Sequence, residues 1–263
     1  MNTVLVLKLI LVPALIALVT LAGRRWGPAV AGWLSAFPIV AGPILWFIAL
    51  EQGAVFAAQA AVGTLSAVLG ILAFGLSYAW AATRFPWTLS LPLAYAGYSA
   101  AVIFLEWWNA TLPAAAAGVL LGLWFAPRLY PRLDTAAAAP VQPPRDMLLR
   151  MVFGALLVLA VTYSAAQLGP SLSGILAMFP VMGTVLVLFT HRSAGAAAAV
   201  QLLRGMVLGF YAFSTFCAVL AWGLTAAGIG MAFLWALAAA GLVQLLSRLW
   251  MNRHGLVIAR RGS

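Results

Sequence analysis

Apolar residues fall into nine long runs, separated by short stretches that contain arginine, glycine, proline and other polar residues. The runs show no strict alternation of apolar and polar positions, so they predict helices rather than β-strands. Most have about twenty residues or more, the length that a helix needs to cross a bilayer. The chain is therefore predicted to be an all-α membrane protein with about nine transmembrane helices, at residues 2–22, 28–50, 54–82, 88–107, 110–128, 147–166, 170–190, 195–222 and 229–249.

Two of the predicted spans carry the same motif, G-P-x-x-x-G-x-L-x-x-F-P, with identical spacing. The first copy begins at Gly27 and ends at Pro38, and the second begins at Gly169 and ends at Pro180, 142 positions later. This match indicates an internal duplication. In each copy the first proline suits a helix N-terminus, whereas the second removes a backbone hydrogen bond inside the span. Both spans are therefore predicted to be proline-interrupted helices.

The duplication divides the chain into two halves around one unpaired span. Repeat A covers residues 1–109 with four spans, and residues 110–130 form the unpaired linking span. Residues 131–146 are rich in proline and alanine and are predicted to be a cytoplasmic linker. Repeat B, with four spans and a basic C-terminal tail, covers residues 147–263. Because five spans precede repeat B, it is predicted to be inverted relative to repeat A, an arrangement typical of secondary transporters.

Charged residues are few, and their distribution predicts the topology. The chain is 65% apolar and 7% charged, a composition for which the bilayer is the solvent. With nine crossings, all arginine-bearing loops lie on one side, and the opposite loops carry Glu51 and Glu106. Re-entrant hairpins at the two interrupted helices would divide the arginines between both sides. The positive-inside rule favours nine crossings of a bacterial-type inner membrane, with a cytoplasmic C-terminus and Met1 outside.

The remaining composition excludes several classes of protein. The net charge of +10 is explained by the loop arginines, so nucleic-acid binding is not expected. The first apolar run is long and lacks a basic n-region and a cleavage site, so we expect a retained span rather than a signal peptide. Cys217 is the single cysteine and lies in an apolar run, which excludes a disulfide framework. No cofactor is expected, the partner is the lipid bilayer, and a homo-oligomer is left open.

The interruptions at Phe37-Pro38 and Phe179-Pro180 form the first candidate site. Each lies about ten residues, or roughly 15 Å, from its helix start, which is near the bilayer midplane. A broken helix there offers free N–H groups and carbonyls to a substrate, whereas a proline kink without a functional role is the alternative. Ser35, Ser173 and Thr184 line these helices, where a hydroxyl either bonds its own backbone or faces a cavity.

The other polar candidates are two glutamines and three basic residues. Gln59 and Gln201 begin matching Q-x-x-x-G patterns, and each either joins helices or contacts a substrate. Arg204 lies one turn beyond Gln201, about 13 Å inside its span, where it either faces a substrate cavity or extends to the membrane surface. Lys8 and Arg150 lie in the first turns of their spans and are expected to snorkel.

Several kinds of chemistry have no residues to support them. No acidic residue lies within a predicted span, which disfavours ion coupling through buried carboxylates. The sequence has no paired carboxylates, metal-spaced His/Cys set or Ser/His/Asp arrangement. His191 and His254 lie in arginine-rich segments and are expected to be solvated. Enzymatic activity and a bound metal are therefore not expected.

A short stretch in each half resembles a known group of proteins. Gly32 with Phe37-Pro38, and Gly174 with Phe179-Pro180, are each followed by polar residues and a long helix rich in small residues. This arrangement is similar to the GlpM-type small integral membrane proteins, which would correspond to one half of the chain. The resemblance implies an integral membrane protein and transfers no catalytic residue.

The leading functional hypothesis is a small secondary-type transporter with a midplane substrate site between the two broken helices. Positive half-helix ends, Arg204 and the absence of buried acids favour a neutral or anionic small solute over a cation. One alternative is a non-transporting membrane protein that assists envelope or polysaccharide assembly. Another is a lipid-handling protein whose interrupted helices open laterally.

Overall fold

The computed structural model describes residues 3–108, 110–133, 144–167 and 179–253. These ranges contain nine helices and no strand. The helices are α1 (Thr3–Trp26), α2 (Pro28–Ser35), α3 (Ala41–Gln52), α4 (Ala54–Ala81), α5 (Trp87–Trp108), α6 (Leu112–Leu129), α7 (Pro144–Gln167), α8 (Val181–Ala226) and α9 (Ile229–Arg253).

Seven of these helices, all except α2 and α3, are long and apolar enough to cross a membrane. Their outer surfaces expose many large apolar side chains, among them Trp107, Tyr163, Val55 and Leu148. A lipid environment covers such surfaces, whereas water would not. The protein is therefore an all-helical, multi-pass membrane protein.

Helices α2 and α3 together occupy the predicted span 28–50, with a break between them. A Cβ on Gly205 of α8 would collide with the carbonyl oxygen of Ala29 at the start of α2. Farther along α8, the ring of Phe216 lies 3.6 Å from the Cβ position of Gly42 in α3. From Gly205 to Phe216 along α8, the contacting residue therefore moves from Ala29 in α2 to Gly42 in α3. Helices α2 and α3 therefore continue in one direction and do not turn back at the break.

Contacts with α9 agree with this direction. The Trp33 indole N–H in α2 donates to the Ser247 hydroxyl at 2.8 Å, near the end of α9. The Trp46 ring in α3 packs at 4.8 Å, edge on, against Phe233 near the start of α9. The interval from Phe233 to Ser247 is about 21 Å of helix. The interrupted helix thus advances by most of a membrane thickness along its neighbour.

Helix α8 reverses at Gly195, where the backbone is non-helical, with φ 82° and ψ 175°. In a straight helix, Gly183 and Met206 would lie about 35 Å apart. Instead, the Met206 Cε atom lies 3.7 Å from the Cβ position of Gly183. Residues 181–194 and 196–226, the first and second arms of α8, therefore pack side by side.

Glycines allow α2 and the second arm of α8 to pack backbone to backbone. A Cβ on Gly32 would collide with the Leu202 carbonyl, and one on Gly209 would collide with the Trp33 carbonyl. Such close approach of two helices requires small residues at the contact. Helix α2 also packs against α1, and α8 also packs against α4 and α9, so this contact lies inside the bundle.

Arginines mark one end of the bundle, which we call the basic end. The last turns of α1, α6 and α9 carry Arg24, Arg25, Arg128 and Arg253. Met251 of α9 packs against Val30 and Trp33 of α2, and α2 begins directly after the end of α1. Glu51 and Glu106 lie near the ends of α3 and α5, away from this region. We call their side the acidic end.

Equivalent features recur at an almost constant spacing in the two halves. Gly53 and Gly195, 142 positions apart, both have a left-handed backbone, with φ of 86° and 82°. Helices α5 and α9 begin at Trp87 and Ile229, which are also 142 positions apart. The helix boundaries therefore follow the spacing of the sequence motif.

Candidate functional site

The first proline position separates α2 from α3, and the second directly precedes α8. In the second, Pro180 has φ −78° and ψ 61°, the backbone of an inverse γ-turn. The Val181 N–H donates across it to the Phe179 carbonyl at 2.8 Å. In the first, the Ile39 N–H donates to the Phe37 carbonyl at the same distance. Both interruptions thus contain the same local turn, which an ordinary proline kink lacks.

Each turn also starts the next helix in the same manner. The Pro38 carbonyl accepts from Gly42 at 2.9 Å, and the Pro180 carbonyl accepts from Thr184 at 2.8 Å. The first arm of α8 therefore begins immediately after Pro180, and α3 begins three residues after Pro38. No side chain caps either start. The first N–H groups of a helix lack intrahelical acceptors and form a positive helix end.

The second break is lined by aromatic and hydroxyl groups. The Phe179 ring lies 4.9 Å from the Tyr95 ring and 6.3 Å from the Tyr98 ring of α5, measured between centroids. The Tyr95 hydroxyl and the Thr184 hydroxyl are hydrogen-bonded at 2.9 Å. Phe74 of α4 lies 5.6 Å from Tyr95. This break therefore offers a hydrogen-bonding pair within an aromatic wall.

The first break has a more apolar environment. Pro38 is buried and Phe37 is half-buried. The Ser35 hydroxyl donates to its own helix, at the Gly32 carbonyl, at 2.7 Å. Of the two roles predicted for this serine, the structure shows the backbone bond. The position that corresponds to Thr184 is Gly42, which has no side chain to offer a substrate.

The two breaks face a common apolar cluster. Val40 in the first break, and Val181 and Met182 after the second, all pack against the same buried residues. That cluster consists of Val12, Ile16, Val158, Val185, Leu188 and Phe189. The structure thus brings Phe37-Pro38 and Phe179-Pro180 into one region of the bundle.

A separate cavity of about 770 Å³ lies at the acidic end, between α4, α5 and the start of α6. Its volume falls in the range of small-molecule sites. The lining includes Gln59, Gly63, Ser66, Val102, Glu106 and Thr111. Of the predicted site residues within the described ranges, Gln59 is the one that lines this cavity. The Ser66 hydroxyl donates to the Val62 carbonyl of its own helix.

Two of the predicted site residues, Gln201 and Arg204, lie near the basic end. Within the described residues, no hydrogen bond joins either of them to the turns at Pro38 and Pro180. Gln201 is half-buried on the second arm of α8. One turn on, Arg204 donates through Nη2 to the carbonyls of Tyr130 and Pro131, at 3.1 and 3.2 Å. Arg204 thereby joins the C-terminal end of α6 to α8. Burial raises the pKa of the Tyr130 hydroxyl, and the charge of Arg204 acts in the opposite direction.

Replacing Arg204 by glutamine is expected to lower the free energy of unfolding by roughly 1.5–3 kcal/mol, because charged hydrogen bonds to two carbonyls are lost. Lysine should recover part of the loss, since it keeps the charge without the guanidinium fork. Thermal unfolding in detergent measures the effect, and Arg192→Gln, at an exposed position, is the control. An unchanged stability of Arg204→Gln together with weaker solute binding would instead support the predicted substrate contact.

Arg150 was expected to extend to the membrane surface, but its side chain is buried in the protein. It is 1% exposed, and its Nε donates to the Asp146 carboxylate at 2.7 Å. Its guanidinium also lies over the Phe189 ring, 5.4 Å from the centroid, and 3.4 Å from the Ser193 hydroxyl. The D-x-x-x-R spacing, which places an acid and an arginine on one helix face, is the sequence signal for this pair.

Other residues were misjudged, missed or lie beyond the described ranges. His191 was expected to be solvated, but it is half-buried and hydrogen-bonded to the Tyr78 hydroxyl at 2.9 Å. Tyr95 and Tyr98 were not among the predicted site residues, because only tertiary contact brings them to Phe179. Ser173 lies outside the described residues.

Comparison with protein-family models, with curated proteins and with solved structures found no match to this chain. The resemblance of each half to GlpM-type proteins therefore stays a sequence-based expectation.

Proposed function

We propose that the protein is a small secondary-type transporter built from two inverted repeats, with its substrate site between the two broken helices. The observation that carries this proposal is the recurrence of the same turn, at Phe37-Pro38 and Phe179-Pro180, in a common region of the bundle. Paired discontinuous helices at corresponding positions are the feature that locates the substrate site in inverted-repeat transporters.

The proposed topology has nine crossings of an inner membrane. The forward course of α2 and α3 and the reversal of α8 at Gly195 support it, because each adds one crossing to the seven long helices, of which α8 is one. The basic end is assigned to the cytoplasm by the positive-inside rule, which puts the C-terminus inside and the N-terminus outside. The recurring spacing of helix boundaries supports the two-repeat organisation.

The proposed substrate is a neutral or anionic small solute. Uncapped starts of α3 and of the first arm of α8 lie at the breaks, and helix N-termini favour negative charge. The hydroxyls of Tyr95 and Thr184 add donors and acceptors beside Phe179. The cavity with Gln59 would provide entry from the acidic end. No catalytic step is proposed.

Labelling of Gln59→Cys tests the entry cavity and the orientation together. In whole cells, a membrane-impermeant maleimide is expected to label this variant, because the residue is exposed and lines the cavity. Gln201→Cys, at the matching position of the other half, should be labelled only after the cells are opened. The unmodified chain is the control, since Cys217 is buried. Labelling of both variants in intact cells would contradict the inverted topology.

Transport itself is tested in proteoliposomes by light scattering, with polyols and small carboxylates as the solutes. We expect at least one of these to enter faster than it enters protein-free liposomes. Equal rates for every solute would leave the transport proposal without support for these classes.

A further inference from the structure

Three arginines lie where the C-terminal end of α6 meets the second arm of α8. Arg128 is in the last turn of α6, Arg132 follows shortly after that helix, and Arg204 is on α8. The bonds from Arg204 to the carbonyls of Tyr130 and Pro131 hold the chain after α6 against α8. Arg132 is close enough to repel the charge of Arg204. We call the three arginines the α6 basic patch.

The α6 basic patch carries more positive charge than acidic side chains can neutralise. The sequence contains four acidic residues. Glu51 and Glu106 lie at the acidic end. The carboxylate of Asp146 is ion-paired with Arg150 at 2.7 Å. The fourth, Asp134, lies outside the described residues, and one carboxylate against three arginines would still leave a charge of +2.

Large apolar side chains surround the patch on the outer surface of the bundle. Trp124, Phe125 and Leu129 of α6 are all more than half exposed. The exposed Trp80 of α4 donates its indole N–H to the Leu129 carbonyl at 2.9 Å, so α4 contributes to the same surface. The Arg128 guanidinium lies 5.1 Å from the centroid of the Trp124 ring. Exposed tryptophans beside a basic side chain are typical of the headgroup region of a bilayer.

The patch keeps free donors for an anionic group. Arg128 donates through Nη1 to the Trp124 carbonyl of its own helix, and its other N–H groups form no hydrogen bond within the described residues. Arg132 is exposed and forms no hydrogen bond there either. The Nε of Arg204 is buried, so this residue contributes charge more than exposed donors. The planar guanidinium fork matches the oxygens of a phosphate group.

We propose that the α6 basic patch binds the headgroup of an anionic phospholipid, such as phosphatidylglycerol, whose acyl chains lie along α6 beside Trp124 and Phe125. Basic sites between transmembrane helices at the cytoplasmic side suit such headgroups. The apolar surface next to the arginines favours a lipid over a soluble anion. Because the lipid would contact α4, α6 and α8, its binding would stabilise the folded protein by mass action. The proposal does not depend on transport.

Native mass spectrometry of the purified full-length protein, in micelles doped with one phospholipid, tests the site. We expect tighter binding of phosphatidylglycerol than of phosphatidylcholine, which has a phosphate but no net charge. Arg128→Gln should weaken phosphatidylglycerol binding about fivefold, which corresponds to roughly 1 kcal/mol per basic residue near an anionic surface. Adding Arg132→Gln should weaken it by a similar factor again. Neither substitution removes a described bond to another helix.

Arg25→Gln is the matched control. Arg25 is also exposed at the basic end, and its guanidinium lies 5.4 Å from the centroid of the Trp26 ring. It belongs to α1, which packs against α2, α7 and α8. This variant loses the same charge but should bind phosphatidylglycerol as the original chain does. Arg128→Lys, which keeps the charge, should retain most of the binding. Equal weakening by Arg25→Gln and Arg128→Gln, or equal binding of the two lipids, would overturn the proposal.

Thermal unfolding distinguishes a lipid from a soluble phosphate as the occupant. Phosphatidylglycerol is expected to raise Tm by about 2–4 °C, and inorganic phosphate at the same concentration should leave it unchanged. The rise should be smaller in Arg128→Gln than in Arg25→Gln. A rise with inorganic phosphate that equals the rise with the lipid would show a soluble-anion site and contradict the proposed lipid.

Discussion

Replacing Gly205 by alanine is expected to lower the free energy of unfolding by about 3 kcal/mol or more, the upper part of the range for overpacked cores. The added methyl group would collide with the Ala29 carbonyl, and a backbone atom in a packed helix cannot move aside as a side chain can. One turn later, Gly209 meets the Trp33 carbonyl, so α2 has no free direction in which to shift. Chemical unfolding in detergent measures the loss.

Gly241→Ala in α9 is the matched control for this substitution. No atom lies within 4 Å of the Cβ position of Gly241, so the methyl group meets no neighbour. Alanine also favours a helix over glycine by about 1 kcal/mol, and we expect a stability equal to or above that of the original chain. Similar stabilities for Gly205→Ala and Gly241→Ala would show that α2 does not pack on α8 as described.

Replacing Pro38 or Pro180 by alanine is expected to reduce solute uptake at least tenfold while Tm holds or rises. Alanine is about 3 kcal/mol more favourable than proline inside a helix, so the chain gains a strong preference to continue the helix through the break. A continuous helix removes the uncapped helix start at the proposed site. Uptake into proteoliposomes, normalised to folded protein, measures the loss against the gain in stability.

Pro92→Ala provides the control, because Pro92 lies inside α5 and its helix is not interrupted. This variant should also be at least as stable as the original chain, but it should transport normally. If Pro38→Ala and Pro180→Ala keep full uptake per folded molecule, the breaks are structural and the proposed site is wrong.

The helices could be predicted from hydrophobic runs to within a few residues where the runs end at glycine or proline. The run 54–82 corresponds to α4, and 229–249 lies within α9. The end of the run 170–190 was placed too early. His191 and Arg192 suggested a loop, yet α8 continues through them to Gly195 because polar side chains are tolerated in helices near a membrane surface.

The candidate site could be predicted only in part, since its residues are far apart in the sequence. The repeated F-P pair located both turns without any tertiary information. The contact between Phe179 and Tyr95 joins positions that are more than eighty residues apart, and no local pattern encodes it. Depth in a span also failed to predict the surroundings of Arg204, because the carbonyls it binds belong to another helix.

The single-residue turns at Gly53 and Gly195 have a consequence for how the protein is inserted into its membrane. Each turn connects two apolar segments with no hydrophilic loop between them, so there is nothing for the translocation machinery to release separately. The second segment must follow the first as one hairpin, before the first can drift away in the lipid. Neither segment would therefore be in the bilayer without the other. The connectivity of the chain itself would then determine the order in which the helices assemble.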